Sequence, residues 1–208
     1  APDVYNDEFA GESLKPDDYS DIGQAKVVAR EYGGELKYTD ATDYLRYNGE
    51  YWMESKQQAV AVMEDFLDLQ LTDALDQMES AKKALIDDGI DKKIVNAGGK
   101  ALEKEIEPEQ LKLFYAYLAA KQYLAFVMKR RDMKYVTSAL MAAKPMLSID
   151  VSSLDGDEFL LNVPGATFDL RDTSSKAPDP DDYITKQTLA APGDEGMDKW
   201  LASLNLFF

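Results

Sequence analysis

Apolar residues along this chain recur in two periods, and the period changes mark its elements. From Gln57 to Asp87, Val60, Met63, Leu67, Leu71, Leu75, Met78 and Leu85 return at three- and four-residue steps, with acids and amides between them. That spacing predicts an amphipathic helix. Unbroken, its 31 residues would run roughly 46 Å; a break at Thr72-Asp73, which could cap a new start, is the alternative. Ser20 or Asp21 caps a shorter helix with Ile22, Ala25, Val28 and Ala29 on one face, ended by Gly33-Gly34. Glu109 to about Lys129, entered through Pro108, is apolar nearly all round, which predicts a central helix buried on most sides. Asp132 to Ala143 predicts a further helix ended by Pro145.

Between the first two helices the pattern alternates. Tyr44-Leu45-Arg46-Tyr47, Asn48-Gly49 and Glu50-Tyr51-Trp52-Met53 read as a hairpin on a type I′ Asn-Gly turn. Its rings could form a platform for single-stranded bases; the reading taken is that they pack the sheet. Residues 91–106 predict short helices joined at Gly98-Gly99. Residues 146–208 are rich in Asp, Pro, Gly and Ser, with extended pieces near 158–163, 166–170 and 183–188 and a closing helix beginning near Gly196 that carries Trp200, Leu201 and Leu204. The expected fold is α+β and mostly α-helical: a helical bundle with a small aromatic β-hairpin sheet and an irregular C-terminal lobe. The expected divisions are an acidic arm over 1–19, which Tyr5 and Phe9 could dock, a helical domain with the hairpin over 20–145, and an extended lobe over 146–208.

Composition narrows the chemistry. The chain has 208 residues, 45% of them hydrophobic, and neither cysteine nor histidine. Disulfides, thiolate zinc sites, cysteine nucleophiles and Ser-His-Asp triads are therefore excluded. The net charge is −16, which repels phosphate backbones at long range. Residues 121–144 reverse the sign, with six bases against Asp132. No apolar run approaches the roughly 20 residues needed to span a bilayer, and a cytosolic location is expected.

Motif searching removes more candidates than it adds. Gly98-Gly99-Lys100 fails as a phosphate loop, because Ile94 and Ala101 stand where glycine and Ser or Thr are required. Asp155-Gly156-Asp157-Glu158 and Asp179-Pro180-Asp181-Asp182 lack EF-hand spacing and read as solvated turns. No catalytic, cofactor or metal residue is assigned. The one basic patch, Lys129-Arg130-Arg131 with Lys134, is the candidate nucleic-acid contact through phosphates. The competing reading is charge that offsets a helix macrodipole and pairs with nearby acids.

One resemblance spans about residues 20–204. Asp21-Ile22-Gly23-Gln24-Ala25, then Tyr47-Asn48-Gly49-Glu50-Tyr51-Trp52, then Leu160-Leu161-Asn162, Gly165, Asp169-Leu170-Arg171, Asp181-Asp182-Tyr183-Ile184-Thr185-Lys186 and Trp200 follow in order. This order resembles the helical domain that precedes the superfamily 3 ATPase in phage and plasmid primase–helicases and in the poxvirus-type nucleoside triphosphatase. Two departures stand out. Pro164 replaces the usual asparagine before glycine, and Asp172-Thr173 replaces the Thr-Gly that commonly follows Asp-Leu-Arg. The resemblance implies a non-catalytic accessory or linker domain that supports DNA replication by oligomer assembly or DNA positioning. It implies a parent ATP-dependent helicase and primase whose ATP and Mg belong to another module. It also implies DNA as a partner through the parent, a homo-oligomer at full length, and the cytosol of a bacterial host. The alternative is an acidic protein-interaction module with no nucleic-acid role.

Overall fold

A computed structural model describes residues 13–191, 193 and 196–207. The expected docking of Tyr5 and Phe9 lies outside these residues. The described residues form seven α-helices and two three-stranded antiparallel sheets, an α+β and mostly helical fold. They group into two compact units: Ala1–Gly33 with Lys56–Ser148, and Gly34–Ser55 with Ile149–Phe208. This division differs from the expected boundaries at 20–145 and 146–208, because the hairpin belongs with the C-terminal residues.

The helical unit contains α1 (Asp21–Tyr32), α2 (Lys56–Asp87), α3 (Lys92–Ala97), α4 (Gly99–Glu105), α5 (Leu111–Arg130) and α6 (Met133–Leu147). Ser20 caps α1 by accepting a hydrogen bond from Gly23 N–H at 3.0 Å, which satisfies one of the first-turn donors. α2 is unbroken over 32 residues. Thr72, the alternative break point, donates its hydroxyl to the carbonyl of Asp68 at 3.0 Å, a bond that leaves the helix intact. α2 packs along α5, and α1 along α6. Met78 and Leu85 join Tyr117 and Ala120 in one cluster, with Ile90, Val95 and Leu102. Ala74, Tyr123, Phe126 and Val127 form another. Two buried amides bond across α1 and α2, Gln24 Nε2 donating to Gln70 Oε1 at 2.7 Å. Gln70 Nε2 donates in turn to the Leu14 carbonyl at 2.8 Å, which ties residues preceding α1 to the bundle.

Two helix expectations are corrected. α5 is one-sided, not buried on most sides: Tyr117, Ala120, Tyr123, Phe126, Val127 and Arg130 are buried, while Leu111, Tyr115, Leu118 and Met128 are exposed. An apolar composition on every side does not say which sides find a neighbour. Pro145 lies inside α6, which continues to Leu147. Proline forgoes one i→i−4 bond and crowds the preceding turn, and so near the C-terminus that turn is already the helix's last. Gly98, between α3 and α4, has φ of 60°, and a Cβ there would meet the Tyr117 hydroxyl at 2.7 Å, so glycine is required on both counts.

The second unit contains β1 (Leu36–Thr39), β2 (Asp43–Tyr47) and β3 (Trp52–Glu54) in one sheet, β4 (Leu160–Val163), β5 (Ala166–Asp169) and β6 (Ser175–Lys176) in the other, and α7 (Met197–Phe207). The hairpin register pairs Tyr47 with Trp52, so residues 48–51 form a four-residue loop and not the expected two-residue turn. Asn48 does not take the positive φ a type I′ turn demands; Gly49 alone does, at 99°. Asn48 Oδ1 accepts from the N–H groups of Glu50 (2.9 Å) and Tyr51 (2.8 Å), which closes the longer loop. The rings pack as structure: Trp52 is 1% exposed, with its centroid 5.6 Å from that of Tyr47 and 6.0 Å from that of Tyr183. Of the extended pieces expected in the C-terminal region, 183–188 forms no strand; the third strand of that sheet is Ser175–Lys176, paired with β5.

Candidate nucleic-acid interface

The basic patch lies where α5 ends and α6 begins, and the structure separates its four residues into two kinds. Arg130 is 8% exposed. Its Nη1 pairs with Asp21 and its Nη2 donates to the carbonyl of Tyr19 at 3.1 Å. The guanidinium lies over Phe126 (4.7 Å) and Tyr135 (4.8 Å), and Tyr19 stacks on Phe126 at 4.6 Å. Arg130 thus clamps the segment before α1 onto α5 and is not placed to meet a phosphate. Arg131 pairs with Asp68 of α2, Nη1 to Oδ1 at 2.6 Å.

Lys129 and Lys134 differ. Both are exposed, and both lie against one ring, their Nζ atoms 5.2 and 4.7 Å from the Tyr135 centroid. Lys129 beside the Tyr135 hydroxyl holds that phenol below the usual tyrosine range, and Lys134 adds to the effect. Such a pair of lysines around an aromatic ring offers phosphate-directed charge next to a stacking face. Lys129 also sits in the last turn of α5, where it offsets the macrodipole. From Leu111 to Leu147 the chain has seven bases and one acid, a net +6 that leaves −22 for the rest of a chain whose total is −16. Sequence reasoning missed the partners of Arg130, since Asp21 lies 109 residues away.

The acidic clusters are occupied by local structure. Asp155 accepts from the Thr185 N–H (2.7 Å) and hydroxyl (2.6 Å), with Lys186 Nζ at 3.3 Å. Burial pushes its carboxyl up, but these donors outweigh burial and hold it below the ordinary range. Asp157 pairs with Arg171 at 2.8 Å, Asp182 with Lys176 at 2.7 Å, and Asp179 caps a 3₁₀ turn by accepting from Asp181 N–H. Asp155, Asp157 and Glu158 line one end of an open cleft of about 310 Å³. Among the described residues, no group of three or more acids is placed to hold a metal ion.

The ordered motifs of the second unit converge on one another. Trp52 N–H donates to Ile184 O and Trp52 Nε1 to Pro180 O, both at 2.8 Å. Glu50 is the hub: its carbonyl accepts from Asn162 Nδ2 (3.0 Å), its Oε1 from Gly165 N–H (3.0 Å) and its Oε2 from Gln187 Nε2 (2.5 Å). The spacing that makes these motifs recognisable is the spacing this network needs. Compared with known families, the chain matches the model described as D5 N terminal like over residues 25–208. The chain belongs to that family. D5 N terminal like domains are N-terminal, non-catalytic domains of phage and viral primase–helicase proteins, a replication-associated setting. A search of curated proteins finds no match. No described helix is long and apolar enough to cross a membrane.

Both departures of this D5 N terminal like domain from its family's pattern have a local account. Pro164-Gly165 joins β4 to β5, with Val163 paired to Ala166. Proline fixes φ at about −65° and Gly165 takes φ of 82°, the combination a type II turn uses. Thr173 takes φ of 63° at the place where the family commonly has glycine, a conformation that costs a β-branched residue.

Proposed function

We propose that this chain is a non-catalytic accessory domain of a phage-type DNA primase–helicase, acting in the cytosol of a bacterial host. It supports replication by positioning DNA and by helping copies of the parent assemble. ATP and Mg belong to a separate ATPase module of that parent. The observation that carries the reading is the family match over 25–208. The +6 segment bearing Lys129 and Lys134 supplies the contact through which DNA is positioned. Arg130 is reassigned to holding the bundle together, while Arg131 is exposed and pairs with Asp68.

Fluorescence anisotropy with a labelled oligonucleotide tests this directly. The chain binds weakly at low salt, and affinity falls as salt rises, with a log–log slope of roughly −1.4 for two phosphates on a single strand. Lys129→Glu with Lys134→Glu weakens binding at least tenfold. Binding that ignores both salt and this double variant would refute the DNA-positioning role.

A further inference from the structure

Two helices of this chain present large apolar side chains to solvent, and different charges flank those faces. On α5, Leu111, Tyr115 and Leu118 recur at four- and three-residue steps on the side away from α2, and all three are exposed, Tyr115 by 62%. Helical spacing puts Gln122 and Ala125 on the same stripe. Lys112 and Lys121 flank it, and α5 contains no acid. On α7, Met197, Trp200 and Leu201 are exposed, Trp200 by 61%. Helical spacing adds Leu204 to that face. Asp198, in the first turn, flanks that face, and helical spacing puts Lys199 on the opposite side of the helix. Contiguous exposed apolar surface of this kind marks an interaction site, and tryptophan is the commonest anchor of one.

We propose that α7 of a second copy lies along the exposed stripe of α5, with Trp200 as its anchor. This names the surfaces for the assembly part of the reading above and rests on it. Pairing α5 with α5 brings lysines together with no acid to meet them. Pairing α7 with α7 leaves α5 uncovered. Placing α7 on α5 covers both apolar faces and brings Asp198, at the edge of one face, to the lysine-flanked edge of the other. An amphipathic helix reading a neighbour through i, i+3, i+4 and i+7 positions is a common recognition mode. Each copy carries one face of each kind, so the contact is head-to-tail, and such contacts close into rings or extend as filaments.

Sedimentation velocity from micromolar to sub-millimolar concentration tests the pairing with two variants. Tyr115→Glu with Leu118→Glu blocks the α5 face; Trp200→Glu with Leu201→Glu blocks the α7 face. All four side chains are exposed, so folding is retained, which circular dichroism checks. Wild-type protein self-associates, each variant alone is monomeric, and an equimolar mixture forms a 1:1 dimer, because each variant keeps the face the other lacks. Lys112→Glu with Lys121→Glu weakens wild-type association at least tenfold. Self-association that survives both variants would overturn this pairing and leave the assembly reading standing. A wild-type chain that stays monomeric throughout would overturn both. A mixture that stays monomeric while the wild type associates would overturn the head-to-tail contact alone.

Discussion

Thr173 holds a positive φ of 63° because the turn after β5 is closed around it: its N–H donates to Asp169 O at 2.8 Å, and Ser174 N–H donates to Asp172 Oδ1 at 2.9 Å. A left-handed backbone costs a non-glycine residue roughly 1–2 kcal/mol, and glycine returns part of that gain through the entropy of its unfolded chain. Thr173→Gly is therefore expected to stabilise the second unit by about 0.5–1 kcal/mol, read as a raised urea midpoint with an unchanged m-value. Arg130 lies at the other extreme, a buried cation with its anion at the surface. Asp21 is 42% exposed, so water recovers part of what the pair loses. Arg130→Ala is expected to cost about 2 kcal/mol, below the figure for fully buried pairs, and to leave DNA affinity unchanged. A cost under about 0.5 kcal/mol, the level of an ordinary surface substitution, would contradict its role as a clamp. Neither residue could be valued from sequence. The backbone angle at Thr173 is set by a turn whose closure depends on β6, and the partners of Arg130 come from the other end of the unit.

At the scale of elements, hydrophobic period was a good guide where a helix has one clear side. α1, α2 and α6 lie close to where their spacing places them, and Gly98-Gly99 joins two short helices as expected. The misreadings share a cause: each turned on a neighbour that local sequence does not name. α5 reads as buried on most sides because it is apolar nearly all round, and only the packing of α2 shows which side is covered. The Asn-Gly pair signals a turn, but the pairing of Tyr47 with Trp52 sets its length. The segment 183–188 reads as extended yet spends its polar groups on other partners: Thr185 on Asp155, Gln187 on Glu50, and the Ile184 carbonyl on Trp52. The candidate patch was legible as a run of bases. Its division into clamp and exposed lysines was not, because burial follows from how α5 meets the residues before α1.

At the scale of the whole molecule, the uneven charge matters more than its total. A chain of −16 would be expected to avoid DNA, but the acids lie almost entirely outside residues 111–147. Repulsion from the rest of the chain is long-ranged and screened over about 8 Å at physiological salt, whereas a lysine against a phosphate acts at contact. The order of the chain through its two units has a separate result. The polypeptide leaves the helical unit after Gly33, returns at Lys56 and leaves again after Ser148. The second unit is therefore assembled from an internal excursion and a tail, held by Glu50 and Trp52 to residues 162, 165, 180, 184 and 187. A protein shortened to end at Ser148 keeps the excursion and Tyr47 but loses Pro180, Tyr183 and Ile184 from around Trp52. Its Trp52 emission is expected to lie to the red of that of a full-length Trp200→Phe variant, and the 34–55 loop to become the first site of proteolysis. Emission as blue as that of full-length Trp200→Phe would show the excursion to be self-sufficient. A gene fragment cut at any one point thus divides a folding unit, and recombination in this family is expected to exchange the two units together.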